Sequence, residues 1–111
     1  MRRSREESFS PVQAVIRVHS GEEALAVAND SEYGLSAAVY SRDSARAWNV
    51  AQRLHTGICH INGPTVHDEA QMPFGGCKAS GYGRFGGRAG IAEFTELRWI
   101  TIQTQPRELP F

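Results

Sequence analysis

The chain reads as an α/β protein with a partial, mostly parallel sheet and flanking helices. Three observations predict this. Strand and helix signals alternate from Val12 to Ile61, period-two alternation marks the strands while a period near 3.6 marks the segments between them, and capping residues precede each helix. Strands joined through helices imply right-handed crossovers and parallel pairing.

The first strand is expected over Val12–Val18, where Val12, Ala14, Ile16 and Val18 share one face and Gln13 and Arg17 the other. Ser20-Gly21-Glu22-Glu23 then has the form of a capping box, with Ala24, Val27 and Ala28 as the apolar stripe of a short helix ending near Asn29. Asn29-Asp30-Ser31 and Gly34 supply turn chemistry before a second strand over Leu35–Tyr40, in which Leu35, Ala37 and Val39 alternate. Ser41-Arg42-Asp43 offers caps for a second helix whose Ala47, Val50, Ala51 and Leu54 fall on one face, with Gly57 placed to stop it. Ile58-Cys59-His60-Ile61 makes a third strand. An irregular stretch from Asn62 to about Gly87 follows, holding seven of the chain's 11 glycines, and so long a loop in a small domain is usually functional or a sign of missing context. A weaker helix is expected over Gly87–Thr95 and a last strand over Leu97–Gln103.

With 111 residues, one domain is expected, with no room for separate cofactor and catalytic domains side by side. Lys plus Arg and Asp plus Glu both number 12, which removes the electrostatic argument for a nucleic-acid partner. No apolar run approaches the roughly 18 residues that span a bilayer, and the polar start lacks a signal-peptide core, so a cytoplasmic protein without membrane contact is expected. Cys59 and Cys77 are too few for a disulfide scaffold. Three strands and two short helices would cover only part of one face of a parallel sheet, so the chain is expected to be a piece of a larger α/β protein.

Most isolated motifs give little. Gly81-Tyr82-Gly83-Arg84-Phe85-Gly86 has the G-x-G-x-x-G spacing, but no strand precedes it, and a glycine-rich turn needed for close backbone packing is the better reading. Cys59, His60, His67, Asp68 and Cys77 match no zinc spacing. His67-Asp68 with Ser80 lacks the nucleophile elbow of a hydrolase. Cys77 beside Lys78 could serve as a nucleophile only with a base close by; its plain reading is a small filler residue.

Arg5-Glu6-Glu7-Ser8-Phe9-Ser10-Pro11 and Met72-Pro73-Phe74-Gly75-Gly76-Cys77-Lys78-Ala79-Ser80-Gly81-Tyr82-Gly83-Arg84 carry the specific signal. In that order they resemble the E-E-x-F-G-P and P-F-G-G-x-K-x-S-G-x-G-R patterns in the last quarter of the NAD(P)-dependent aldehyde dehydrogenases. Ala28-Asn29-Asp30, Tyr33-Gly34-Leu35, Thr56-Gly57 and Ile61-Asn62 fit the same family order. The stretches Asn62–Glu69 and Gly90–Trp99 resemble the aromatic-aldehyde branch, the vanillin and salicylaldehyde dehydrogenases.

The resemblance implies roles for particular residues. Glu7 is similar to the acid that accepts hydrogen bonds from the nicotinamide-ribose hydroxyls, a task suited to an acceptor-only carboxylate, and Phe9 to the aromatic packed near the nicotinamide. Phe74 resembles an aromatic wall of the substrate pocket, and Thr65, Val66 and His67 the variable loop that shapes it. Residues 1–96 would belong to the catalytic and cofactor-contacting region, and residues 97–111 would form a C-terminal oligomerisation strand and tail. The implied reaction oxidises an aldehyde to its acid: a Cys thiolate adds, hydride passes to NAD or NADP, and activated water releases the thioester. The implied partners are a small aldehyde, further copies of the chain, or a complementary aldehyde dehydrogenase chain.

Three departures qualify the match. Ser10 stands where the family usually has Gly, and Phe85 where many members have Glu. The family's nucleophilic Cys, general-base Glu, oxyanion Asn and phosphate site have no counterpart in this sequence, so the chain by itself is expected to be inactive. Two other readings remain at this level, a non-catalytic binding or assembly module that keeps the family fold, and a small enzyme that uses Cys77.

Overall fold

The computed structural model describes residues 9–108. In chain order they form α1 (Gly21–Asn29), β1 (Tyr33–Gly34), β2 (Ser36–Val39), α2 (Ser44–Ala51), β3 (Ile58–Ile61), β4 (Cys77–Lys78) and α3 (Gly87–Glu93).

The centre is a β2–α2–β3 crossover. β2 and β3 pair in parallel, Ser36 with Ile58, Ala37 with Cys59, Ala38 with His60 and Val39 with Ile61. Asp43 starts α2 by accepting from the Arg46 N–H at 3.0 Å. Ala47 is completely buried, and its single methyl lets the helix lie close to the sheet. Asn62 takes a left-handed conformation (φ 57°) that Asn tolerates better than most residues. Its amide bonds both the N–H and the carbonyl of Ser41, at 2.9 and 3.0 Å, which ties together the chain leaving β2 and the chain leaving β3.

α1 begins as the sequence suggests, with Ser20 Oγ accepting from the Glu23 N–H at 3.1 Å. The reciprocal bond lies one residue further out than a standard box, because Glu23 accepts from the His19 N–H at 2.8 Å. Leu25 is the buried residue of this helix.

Several expectations are corrected. α2 ends at Ala51 and not beside Gly57. The Asn29 side chain donates to the Arg53 carbonyl (2.9 Å) and accepts from the His55 N–H (2.8 Å), occupying backbone groups that another turn would need. The stretch after Asn62 is not without structure: β4 pairs antiparallel with β1, and Phe74 and Phe85 exchange backbone hydrogen bonds of 2.8 and 2.7 Å.

Val12–Val18 and Leu97–Gln103, both expected as strands, belong to no sheet. A strand exists only where its N–H and C=O groups meet a partner edge, and β2 and β3 find that partner in each other. Val15 and Leu97 are almost fully exposed. Among the described residues only Leu25 and Ala47 are buried apolar side chains, and the radius of gyration is 21.3 Å, against about 13 Å for a compact domain near this length.

Candidate functional site

The N-terminal part of β3 and the loop that returns toward it enclose a cleft of about 380 Å³, within the usual range for small-molecule sites. Gly57, Ile58, Cys59 and His60 come from the strand side, and His67, Asp68, Glu69, Met72, Pro73 and Phe74 from the loop.

The loop wall is set by backbone contacts. A Cβ at Gly57 would stand 1.8 Å from the Gly75 carbonyl oxygen, so glycine is what lets the segment after Phe74 lie against the start of β3. Arg84 holds the other side of this segment, with Nη1 donating to the carbonyls of Gly76 (2.7 Å) and Gly83 (2.9 Å). Phe74 is fixed between these tethers by its pairing with Phe85.

The cleft has a mixed lining. Ile58, Met72, Pro73 and Phe74 offer apolar surface, while His60, His67, Asp68 and Glu69 offer polar groups. His67 Nε2 lies 3.3 Å from Glu69 Oε1, and Glu69 Oε2 accepts from Gln71 at 2.6 Å. The His60 and His67 rings meet edge to face, with centroids 5.5 Å apart. Burial pushes the Cys59 thiol up, holding it protonated. Such a cleft suits a flat apolar molecule that carries a polar substituent.

Of the residues picked out from sequence, His67 and Phe74 both line this cleft. Thr65 and Val66 do not line it: the Thr65 carbonyl accepts from Ser36 Oγ at 3.0 Å, and Val66 is almost fully exposed. Phe9 is 97% exposed, away from the cleft, and Glu7 lies outside the described residues. Cys77 Sγ donates to the carbonyls of His55 (3.2 Å) and Gly34 (3.5 Å), neither of which is a base able to activate it. Among the described residues no three His, Cys, Asp or Glu side chains gather as a metal site, and no helix is long and apolar enough to cross a membrane.

Sequence reading missed His60, Asp68 and Glu69 as cleft residues. The signal available was the concentration of ionisable groups in His67-Asp68-Glu69, between a short strand and the Phe74-Gly75-Gly76 turn. For His60 there was none, since a lone His within a strand is most often packing.

This fold, with its glycine-backed loop facing a short parallel strand, belongs to a known class. Residues 1–100 match the model of the aldehyde dehydrogenase family, and the chain belongs to that family. It is 66% identical over 110 residues to a vanillin dehydrogenase of Pseudomonas sp. (strain HR199 / DSM 7063), covering 99% of this chain and 23% of that protein. Among solved structures it is similar to a salicylaldehyde dehydrogenase from Pseudomonas putida G7 complexed with salicylaldehyde (TM-score 0.90, 52% identity, 97% of this chain and 22% of that one). It is also similar to a Mycobacterium tuberculosis aldehyde dehydrogenase complexed with NAD+ (TM-score 0.78, 40% identity, 83% of this chain and 19% of that one). The chain thus spans less than a quarter of the length of these relatives.

Proposed function

We propose that the chain forms the substrate-pocket wall and part of the cofactor contact of an enzyme that oxidises an aromatic aldehyde to its carboxylic acid with NAD+ or NADP+. The observation that carries this reading is the cleft that His67 and Phe74 both line beside β3. Its apolar side matches the flat ring of the substrates named for the relatives, and its size matches a molecule of that kind. Phe74 packs against the ring, and His67, 3.3 Å from Glu69, provides polar character in the same cleft. Thr65 and Val66 contribute through the loop that positions His67.

The residues available for the cofactor fit it chemically. Phe9 presents an unpacked aromatic ring, and Glu7 would offer acceptor oxygens to ribose hydroxyls. When bound, the nicotinamide supplies the hydride acceptor. The nucleophile comes from elsewhere in the complete enzyme. Leu97–Gln103, with Leu97 and Trp99 almost fully exposed, is the segment through which further copies or a complementary aldehyde dehydrogenase chain would associate.

The test joins these 111 residues in frame to the upstream part of the Pseudomonas putida salicylaldehyde dehydrogenase, replacing its matching segment. The joined enzyme is expected to oxidise aromatic aldehydes with NAD+, and the chain by itself is expected not to. A joined enzyme that turns over only aliphatic aldehydes would refute the substrate reading. Turnover by the chain alone, abolished in Cys77→Ala, would replace this proposal with that of a small Cys77 enzyme.

A further inference from the structure

Among the described residues, the one buried side-chain nitrogen or oxygen without a hydrogen-bond partner is His60 Nε2. A buried polar atom left unpaired is unfavourable and calls for a partner. The atom belongs to a ring that lines the cleft and meets the half-exposed ring of His67, with centroids 5.5 Å apart and planes at 86°. His67 is held by this ring contact and by Glu69, at 3.3 Å on an exposed surface. Facing groups on the loop side are Asp68 and Glu69; on the strand side the neighbour is Cys59, whose burial keeps it a thiol.

We propose that His60 is a specificity-determining residue, pairing through Nε2 with a hydroxyl on the ring of the aldehyde while Phe74 and Met72 hold the ring itself. The inference rests on the reading of the cleft as an aromatic-aldehyde pocket and narrows it to ring-hydroxylated aldehydes. An imidazole nitrogen can accept from a phenolic O–H or donate to its oxygen, so either tautomer serves. Nε2 has no open surface as the chain stands, so the hydroxyl reaches it as the His67 ring, held by its edge-to-face contact with His60 and by one exposed contact to Glu69, turns aside. A site built to bond a hydroxyl discriminates against the analogue that lacks it, since the buried nitrogen is then left unpaired. An unsubstituted aromatic aldehyde would bind the same slot and leave Nε2 as it stands in the free chain.

The experiment measures kcat/KM of the joined enzyme for salicylaldehyde, 4-hydroxybenzaldehyde and benzaldehyde, in the wild type and in His60→Leu and His60→Gln. The ratio of a hydroxylated to the unsubstituted substrate cancels any general loss of folding or turnover. The expected result is a preference for at least one hydroxylated aldehyde of about 5-fold or more, the order of one neutral hydrogen bond. His60→Leu should abolish that preference, read as the ratio of the two substrates within the one variant, and His60→Gln should restore part of it. A preference unchanged in His60→Leu would overturn the proposal and assign the partner of Nε2 to another part of the enzyme. Equal kcat/KM for all three aldehydes in the wild type would overturn it too, leaving the aromatic-aldehyde reading intact. Failure to oxidise any of the three while aliphatic aldehydes are oxidised would defeat the underlying reading, and the proposal with it.

Discussion

Replacing Gly57 by alanine places one methyl group where the structure has no space. The new Cβ would lie 1.8 Å from the Gly75 oxygen, 2.8 Å from the Gly75 carbonyl carbon and 3.0 Å from Gly76 Cα. All three are backbone atoms, so no rotamer change relieves the clash. Carbon and oxygen in van der Waals contact sit about 3.2 Å apart, hence the Gly75 peptide must retreat by more than 1 Å. Retreat is resisted from behind. A Cβ built on Gly75 would itself meet the Gly83 oxygen at 2.4 Å and the Arg84 side chain at 3.0 Å, and Arg84 holds the Gly76 carbonyl.

Overpacking of a well-packed site typically costs about 1 to 3 kcal/mol, and the upper end applies where every obstructing atom is backbone. Phe74 precedes Gly75, so the displacement passes directly to the cleft wall, and a misplacement on the order of 1 Å can lower catalysis by about 100-fold. In the joined enzyme, Gly57→Ala is therefore expected to reduce kcat/KM for aromatic aldehydes by one to two orders of magnitude and to lower the urea midpoint. Gly63→Ala is the control. Its Cβ would meet only the His60 Cβ at 3.6 Å, an ordinary contact, and the effect on stability should stay within about 0.5 kcal/mol. Wild-type stability and wild-type KM in Gly57→Ala would refute the claim that this backbone approach positions the cleft.

Two further outcomes follow from charge and burial. Because burial raises the Cys59 pKa, the thiol favours folding below its unfolded pKa, and this contribution is lost as pH rises through the higher folded value. Iodoacetamide should accordingly label Cys59 with a pH midpoint above that of a free thiol, and an ordinary or lower midpoint would count against its burial. Glu22 is held below the usual carboxylate range, first by its hydrogen bonds from Arg53 and then by that residue's charge. Its stabilisation is present above the unfolded pKa and lost as pH falls through the lowered one. The pair is solvent-exposed, so the difference between wild type and Glu22→Gln should be small at neutral pH, and should vanish both in acid and in about 1 M salt. A difference that survived high salt would show that the pair acts through packing.

The elements that a sequence reader can see are those whose cause is local. Ser20 and Asp43 cap helices with their own side chains, and the strand Ile58–Ile61 lies where its apolar run predicts. What could not be read depended on contacts far apart in the chain. The end of α2 is decided by Asn29, 24 residues before Arg53, and no local signal marks that. Gly57 looked like a helix stop because glycine often serves so, whereas its role is to admit Gly75. Val12–Val18 has the alternation of a strand but lacks a ladder, since alternation reports which side chains would be buried and does not supply an edge to pair with. His67 and Phe74, singled out through family resemblance, line the cleft. His60 was not, because an unpaired nitrogen is visible only once its surroundings are known.

The P-F-G-G-x-K-x-S-G-x-G-R pattern can now be understood as a clamp in which most of the fixed letters have a mechanical reason. Phe74 supplies the cleft wall, and Gly75 and Gly76 allow the backbone to reach β3 and the Ser80 turn. Lys78 adopts a left-handed conformation (φ 54°), unusual for a residue with a side chain, and places Nζ 3.0 Å from both the Asn29 and Ser31 carbonyls. An ammonium there meets the negative end of the α1 dipole as well as two carbonyl oxygens. Ser80 Oγ accepts from the Gly34 N–H at 2.9 Å, the neighbouring Ala79 N–H donates to Glu32, and Arg84 fastens Gly76. The loop is therefore bound to the end of α1, to β1 and to the His55 carbonyl ahead of β3 by polar contacts of defined direction. With Leu25 and Ala47 the only buried apolar side chains among the described residues, apolar packing within this chain could not set the loop's position to the same accuracy. Directional tethers can, because each fails steeply with angle and distance. The cleft geometry thus depends on the motif itself, which sets the wall that Phe74 presents without a large apolar core behind it.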